Sequence, residues 1–194
     1  WNDANGKYMD MYEKVQDLPE GTPSIYGGDG FWITIWNLNQ LWPLITPGIT
    51  SEWVQSFLEI YDKGGWLPKG PTGIEYSGIM VASHQIAFIV SAYQKGIRDF
   101  DIEKAYEACY KLQTQPGGPH EAGGLVGNRQ IEEYMKYAYV PEEDGPVSNT
   151  LEYAYDDWSL GQFALALENE KDYKYFTKRA FNYQNVFDPE VKYM

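Results

Sequence analysis

The sequence predicts an all-α chain built of helical hairpins, from three observations. Helices with apolar residues all round alternate with helices that are apolar on one face only. The joints between them are rich in glycine and proline, and no stretch shows the alternation of a half-buried strand. Successive hairpins with one buried and one half-exposed member describe part of an α/α toroid, in which inner helices are lined by an outer ring. An ordinary helical bundle satisfies the same periodicity.

Residues 1–30 are polar and carry Pro19, Gly21, Pro23 and the run Gly27-Gly28-Asp29-Gly30, so a mostly loop and extended lead-in is expected. Trp32, Ile33, Ile35, Trp36, Leu38, Leu41 and Trp42 are too dense for a one-sided stripe. They predict a first helix buried on most sides, disturbed or ended early by Pro43. From Ser51 to Lys63, Trp53, Val54, Phe57, Leu58 and Tyr61 fall on one face, which predicts an outer helix stopping at Gly64-Gly65. A connector from Gly64 to Gly73 leads to a helix over Ser77 to Lys95, apolar all round and therefore interior, with Gly96 as its C-terminal cap. Asp101 is the expected N-cap of a one-sided helix, Ile102 to Leu112, striped by Ile102, Ala105, Cys109 and Leu112. A glycine-rich loop (Pro116 to Gly127) precedes a short helix from Gln130 to Tyr137. Two last helices run from about Thr150 to Glu168 and from Lys171 to Phe187.

Composition narrows the class. The 194 residues suffice for one domain with a sizeable core, and 43% hydrophobic content with 7 Trp, 17 Tyr and 8 Phe excludes a disordered chain. No apolar run reaches the roughly 18 residues of a membrane span. A formal charge of −13, with no basic stripe, argues against nucleic acid as a partner. The single cysteine, Cys109, cannot form an intramolecular disulfide, and no Cys/His spacing suits structural zinc. The chain starts at Trp1 without an initiator Met and ends shortly after a helical pattern. It therefore reads as an excised piece, with the remaining part of the parent protein as its partner.

Tryptophan and tyrosine stand beside carboxylates: Trp32 and Trp36 after Asp29, Trp66 before Glu75, and Tyr153, Tyr155 and Trp158 around Glu152, Asp156 and Asp157. Sugars present apolar C–H faces and rings of hydroxyls, so aromatic platforms flanked by acids suit them, and glycoside hydrolysis requires a pair of carboxyl groups. The same residues also fit a purely structural helical module with an aromatic core and acids at its ends.

The segment Thr150-Leu151-Glu152-Tyr153-Ala154-Tyr155-Asp156-Asp157-Trp158 resembles the family 92 glycoside hydrolases. Tyr139-Val140-Pro141 before it, and Phe176, Lys178-Arg179, Asn182-Tyr183 and Asn185-Val186-Phe187-Asp188 after it, extend the resemblance. Gly65-Trp66-Leu67-Pro68, Met80 with His84, and the run Ala92 to Asp101 match in the same order, so the resemblance covers roughly residues 27 to 190. It implies a partial (α/α)6 catalytic domain over residues 1–194 and an inverting, calcium-dependent removal of terminal α-linked mannose from glycans. It also implies a periplasmic, cell-surface or secreted location.

By the same resemblance Glu75 matches the general acid, a role that needs burial to raise its pKa. Glu152 is a candidate for orienting the sugar or metal ligands, and Trp36, Trp66 and His84 complete the candidate substrate-binding set. The acidic loop Glu142-Glu143-Asp144 is the nearest candidate for calcium, which takes six to eight oxygens, although no ligand set follows from the sequence. His120-Glu121, in a glycine-rich loop, is a further candidate to face a cleft. Three departures stand out. Ile35-Trp36-Asn37-Leu38-Asn39 replaces the family's common Trp-Asp-Thr-Phe-Arg. Gly145-Pro146-Val147 replaces acid or amide residues. The aspartate motif of the catalytic base lies beyond Met194, and Asp156-Asp157 do not match it. A non-catalytic glycan-binding relative is the alternative these departures leave open.

Overall fold

Proline and glycine decide where the helices stop. The computed structural model describes the chain apart from Trp1, Ala4, Pro23, Asp29, residues 70–75, Gly78 and Val81. Three short antiparallel strands, β1 (Asn2–Asp3), β2 (Lys7–Met9) and β3 (Val15–Asp17), form a meander before the first helix. Their two- and three-residue lengths and polar composition leave no periodic signal, which is why the sequence showed no strand there.

The expected single first helix is two. α1 (Phe31–Thr34) ends after one turn, and α2 (Leu38–Ile45) resumes beyond it. Pro43 does not end α2 but lies inside it, buried. The break comes at Thr46, whose backbone leaves the helical region immediately before Pro47, because a residue preceding proline is driven out of the α conformation. The expectation of burial on most sides is overturned as well. Phe31 and Pro43 face the core, but Ile33, Trp36, Leu41, Leu44 and Ile45 are exposed.

α3 (Pro47–Gly64) buries Val54, Phe57, Leu58 and Ile60 and ends at Gly65. Gly65 is left-handed at φ 73°, and its N–H donates to the Tyr61 carbonyl at 2.7 Å. α4 (Gln85–Gln94) is interior over nearly its whole length, and the Gly96 turn closes it. It starts at Gln85 rather than Ser77. Tyr76 and Ser77 are instead held extended, as the Leu125 N–H donates to Tyr76 O at 2.9 Å and the Ser77 N–H to Lys69 O at 3.1 Å. α5 (Ile102–Thr114) is capped by Asp101, whose carboxylate accepts the Lys104 N–H at 3.0 Å.

A two-stranded ribbon, β4 (Gly118–Pro119) with β5 (Leu125–Val126), precedes α6 (Ile131–Tyr137). α7 (Val147–Ala166) is the central helix, packed against α4, α5 and α8 (Glu170–Arg179). α8 tightens into a 3-10 helix over Ala180–Val186, so the last predicted helix is two elements of different pitch. The main core lies where α3, α4, α5, α7 and α8 meet, around Phe57, Phe88, Phe163 and Phe176. No helix among the described residues is long and apolar enough to cross a membrane.

Candidate active site

Glu152 and Asp156 are one turn apart on α7, which places both carboxylates on one face, turned toward the start of α4. There the chain presents Ser83 and His84, before the helix begins at Gln85. His84, only 5% exposed, aims Nδ1 at Asp156 Oδ1 (2.9 Å) and Nε2 at Glu152 Oε2 (3.4 Å). Asp156 Oδ2 accepts the Ser83 N–H at 3.0 Å, so this fully buried carboxylate is held on both oxygens. Burial opposes charge on the imidazole, and the carboxylates of Asp156 and then Glu152 outweigh it, lifting the His84 pKa to about 9. A cation at a helix N-terminus opposes the dipole, and the two carboxylates of α7 supply the offsetting charge.

The network continues inward. Ser83 Oγ donates to Asn128 Oδ1 (2.9 Å). Lys69 Nζ donates to the same oxygen (3.0 Å) and to Gly127 O (2.6 Å), and Asn128 Nδ2 donates to Leu112 O (3.1 Å). Burial pushes Lys69 down to about 7, against the pull of Asp156 and Glu152. On the other side of α7, Asp157 accepts from Arg179 Nε (2.9 Å) and the Tyr134 hydroxyl (2.8 Å) and ties α7 to α6 and α8.

Glu152 faces outward as well. Its side chain is 17% exposed and Oε1 accepts from the Trp32 indole at 2.9 Å. Around it opens a cavity of about 400 Å³ lined by Trp32, Ile35, Trp36, Gln40, His84, Ser148, Leu151 and Tyr155. Trp36, 82% exposed, forms part of its rim. Two indoles and a tyrosine around one carboxylate offer flat apolar faces and a strong acceptor, which is what a pyranose ring with vicinal hydroxyls can use.

Trp36, His84 and Glu152, predicted separately, thus meet at one cavity. Trp66 does not line it. Its ring packs under Lys111 Nζ, 4.3 Å from the centroid, and against Gly127, joining the main core to the N-terminal meander. Glu75 lies outside the described residues. His120 is bound at both nitrogens, Nε2 to Gly64 O (2.9 Å) and Nδ1 accepting the Ala122 N–H (3.1 Å), which fixes the neutral Nε2–H tautomer. Glu121 accepts from the Tyr12 hydroxyl at 2.8 Å beside a second cavity, of about 550 Å³. Glu142, Glu143 and Asp144 are exposed, and among the described residues no three of His, Cys, Asp and Glu are grouped to hold a metal.

Sequence reasoning missed Lys69, Ser83 and Asn128, which carry no motif, and left Asp156 without a role. The four-residue spacing from Glu152 to Asp156 was the available signal.

The glycosyl hydrolase family 92 catalytic-domain model matches residues 1–194. A family GH92 inverting mannosidase of Bacteroides thetaiotaomicron superimposes with a TM-score of 0.85 at 30% identity, over 99% of this chain and 26% of that one. A family GH92 α-mannosidase of the same organism gives a TM-score of 0.84 at 29% identity, over 100% of this chain and 25% of the relative. Its complex with mannoimidazole superimposes at 0.83. An uncharacterized secreted glycosidase of Arthroderma benhamiae is 29% identical over 163 residues, 77% of this chain and 20% of its own length. The chain thus spans about a quarter of the solved relatives, and its helical hairpins are the part of an α/α toroid that the sequence predicted. It belongs to the family 92 glycoside hydrolases, as a part of their catalytic domain.

Proposed function

We propose that this chain supplies part of the sugar pocket and the general acid of an enzyme that removes terminal α-linked mannose from glycans. The observation that carries the reading is the cavity in which Trp32, Trp36 and Tyr155 surround the Glu152 carboxylate, in a chain whose solved relatives are mannosidases. In this reading the terminal sugar lies against the indoles and its hydroxyls donate to Glu152, while Trp32 and the charged His84 ring hold that carboxylate in place.

Glu75 protonates the departing glycosidic oxygen, and a base from outside this chain activates water on the opposite face. Inversion calls for about 6.5–9.5 Å between such a pair of carboxyls. The inverting relative supports that stereochemistry. Calcium is proposed only as the resemblance implies it, and no step of this reading passes through it. The secreted glycosidase among the relatives supports a location outside the cytoplasm.

The test is mannose release from α-linked mannobiose by the full-length protein, with and without a chelator, beside its Glu75→Gln variant. Release that needs calcium and that the substitution lowers by at least about a hundredfold is expected, the usual scale for a general acid. No release from folded protein that still binds mannose would favour a glycan-binding relative instead. Trp36 and Asn39, where the family commonly carries aspartate and arginine, would be the first residues to suspect.

A further inference from the structure

The cavity explains Glu152 but leaves the residues behind it without a function. His84 and Asp156 are almost completely buried: Asp156 does not line the cavity, and His84 reaches it only as part of the wall. Ordinary packing calls for an apolar side chain between α4 and α7, since a buried ion pair stabilises little compared with well-packed hydrophobic residues. The two instead form a line of charge that ends at the cavity wall: Asp156 Oδ1 to His84 Nδ1 at 2.9 Å, then His84 Nε2 to Glu152 Oε2 at 3.4 Å, then Glu152 Oε1 to the Trp32 indole at 2.9 Å. Asp156 is anchored from behind by the Ser83 N–H, and Ser83 by Asn128, which Lys69 also holds.

We propose that Asp156 and His84 are positioning residues for Glu152, a buried pair that sets the direction in which the Glu152 carboxylate meets the sugar. The proposal rests on the reading of the cavity as the sugar site.

The geometry explains the division of labour. Glu152 Oε2 is buried and makes no well-formed hydrogen bond, so the His84 ring holds it chiefly by charge. That attraction requires the ring to stay protonated, and Asp156, the nearer carboxylate, is what keeps it so. The groups facing the ring are Asp156 and Glu152 from α7 and the edge-on ring of Tyr155 at 6.0 Å. Lys69 stands behind, close enough to interact with both carboxylates, and Arg129 is near enough to Lys69 to act on it. With Asp156 neutralised, His84 loses its stronger partner. Glu152 is then free to turn, and the sugar hydroxyls lose a fixed acceptor.

The experiment is a double-mutant cycle in the full-length protein, reading mannose affinity by tryptophan fluorescence and KM and kcat on α-linked mannobiose. Asp156→Asn, Glu152→Gln and the double variant are compared, each checked for folding by its thermal midpoint. Asp156→Asn is expected to weaken mannose binding and raise KM about tenfold, with kcat changed much less. In the Glu152→Gln background the same substitution is expected to add less than twofold. If Asp156→Asn does not fold, His84→Gln, which keeps a donor near the Nε2 position, is carried through the same cycle with the same expectations. Independent, multiplicative losses would overturn the positioning role while leaving the cavity reading intact. A Glu152→Gln variant that binds mannose as tightly as the wild type would overturn the cavity reading itself, and the proposal with it.

Discussion

At His84 burial and two carboxylates act in opposite directions, and the carboxylates win, which gives the residue a measurable signature. Its pKa in the folded chain, about 9, lies above the ordinary 6.5, so folding takes up a proton. The resulting stability, on the order of 3 kcal/mol, is fully present below pH 6.5 and is lost as pH rises toward 9. Lys69 does the reverse. Its pKa falls from 10.5 to about 7, so the unfolded chain binds more protons between those values and stability rises with pH there. Between pH 7 and 9 the two slopes nearly cancel. Denaturant unfolding of the wild type should therefore change by less than about 1 kcal/mol over that interval, whereas Lys69→Met should show stability falling by about 2 kcal/mol. A flat profile in the variant would mean that His84 is neutral. Trp36 carries the opposite kind of prediction, because it is almost fully exposed. Trp36→Ala should leave stability within about 0.5 kcal/mol and weaken mannose binding about fivefold, the worth of roughly 1 kcal/mol of aromatic contact.

Among the elements, α5 and the loop before β5 depend on single residues. Removing the Asp101 cap leaves an N–H of the first turn of α5 unpaired, so Asp101→Ala should cost about 1 kcal/mol in chemical denaturation. Gly124 sits at φ 72°, with its Cα against the Tyr76 carbonyl, and any Cβ there would overlap that oxygen. Gly124→Ala should therefore cost more than about 2 kcal/mol and release the strand-like pairing that holds Tyr76 and Ser77. The same elements show what was legible in the sequence. Caps and glycine stops were, because Asp101, Gly65 and Gly96 act on their immediate neighbours. The start of α4 was not: Tyr76 and Ser77 are held by Leu125 and Lys69, and Ser83 and His84 by Asp156, partners that no local pattern announces. Trp36 and Glu152 carried a signal through their chemistry, whereas their meeting at one cavity depends on the turn that separates α1 from α2.

For the whole molecule, two features set its behaviour in solution. Ile33, Trp36, Leu41, Leu44 and Ile45 leave large apolar side chains exposed on α1, α2 and the turn between them, and the net charge is −13. This chain on its own should associate as concentration rises, and more strongly as pH approaches its isoelectric point near 4.5, which sedimentation velocity would register. A monodisperse monomer at high concentration near that pH would contradict it. Whether Trp32, Trp36 and Glu152 line a sugar site is decided by a crystal structure of the full-length protein with mannose bound. A pyranose ring in contact with Trp36 and hydroxyls within about 3 Å of the Glu152 carboxylate are expected; mannose bound elsewhere, with this cavity filled only by water, would overturn the sugar-site reading.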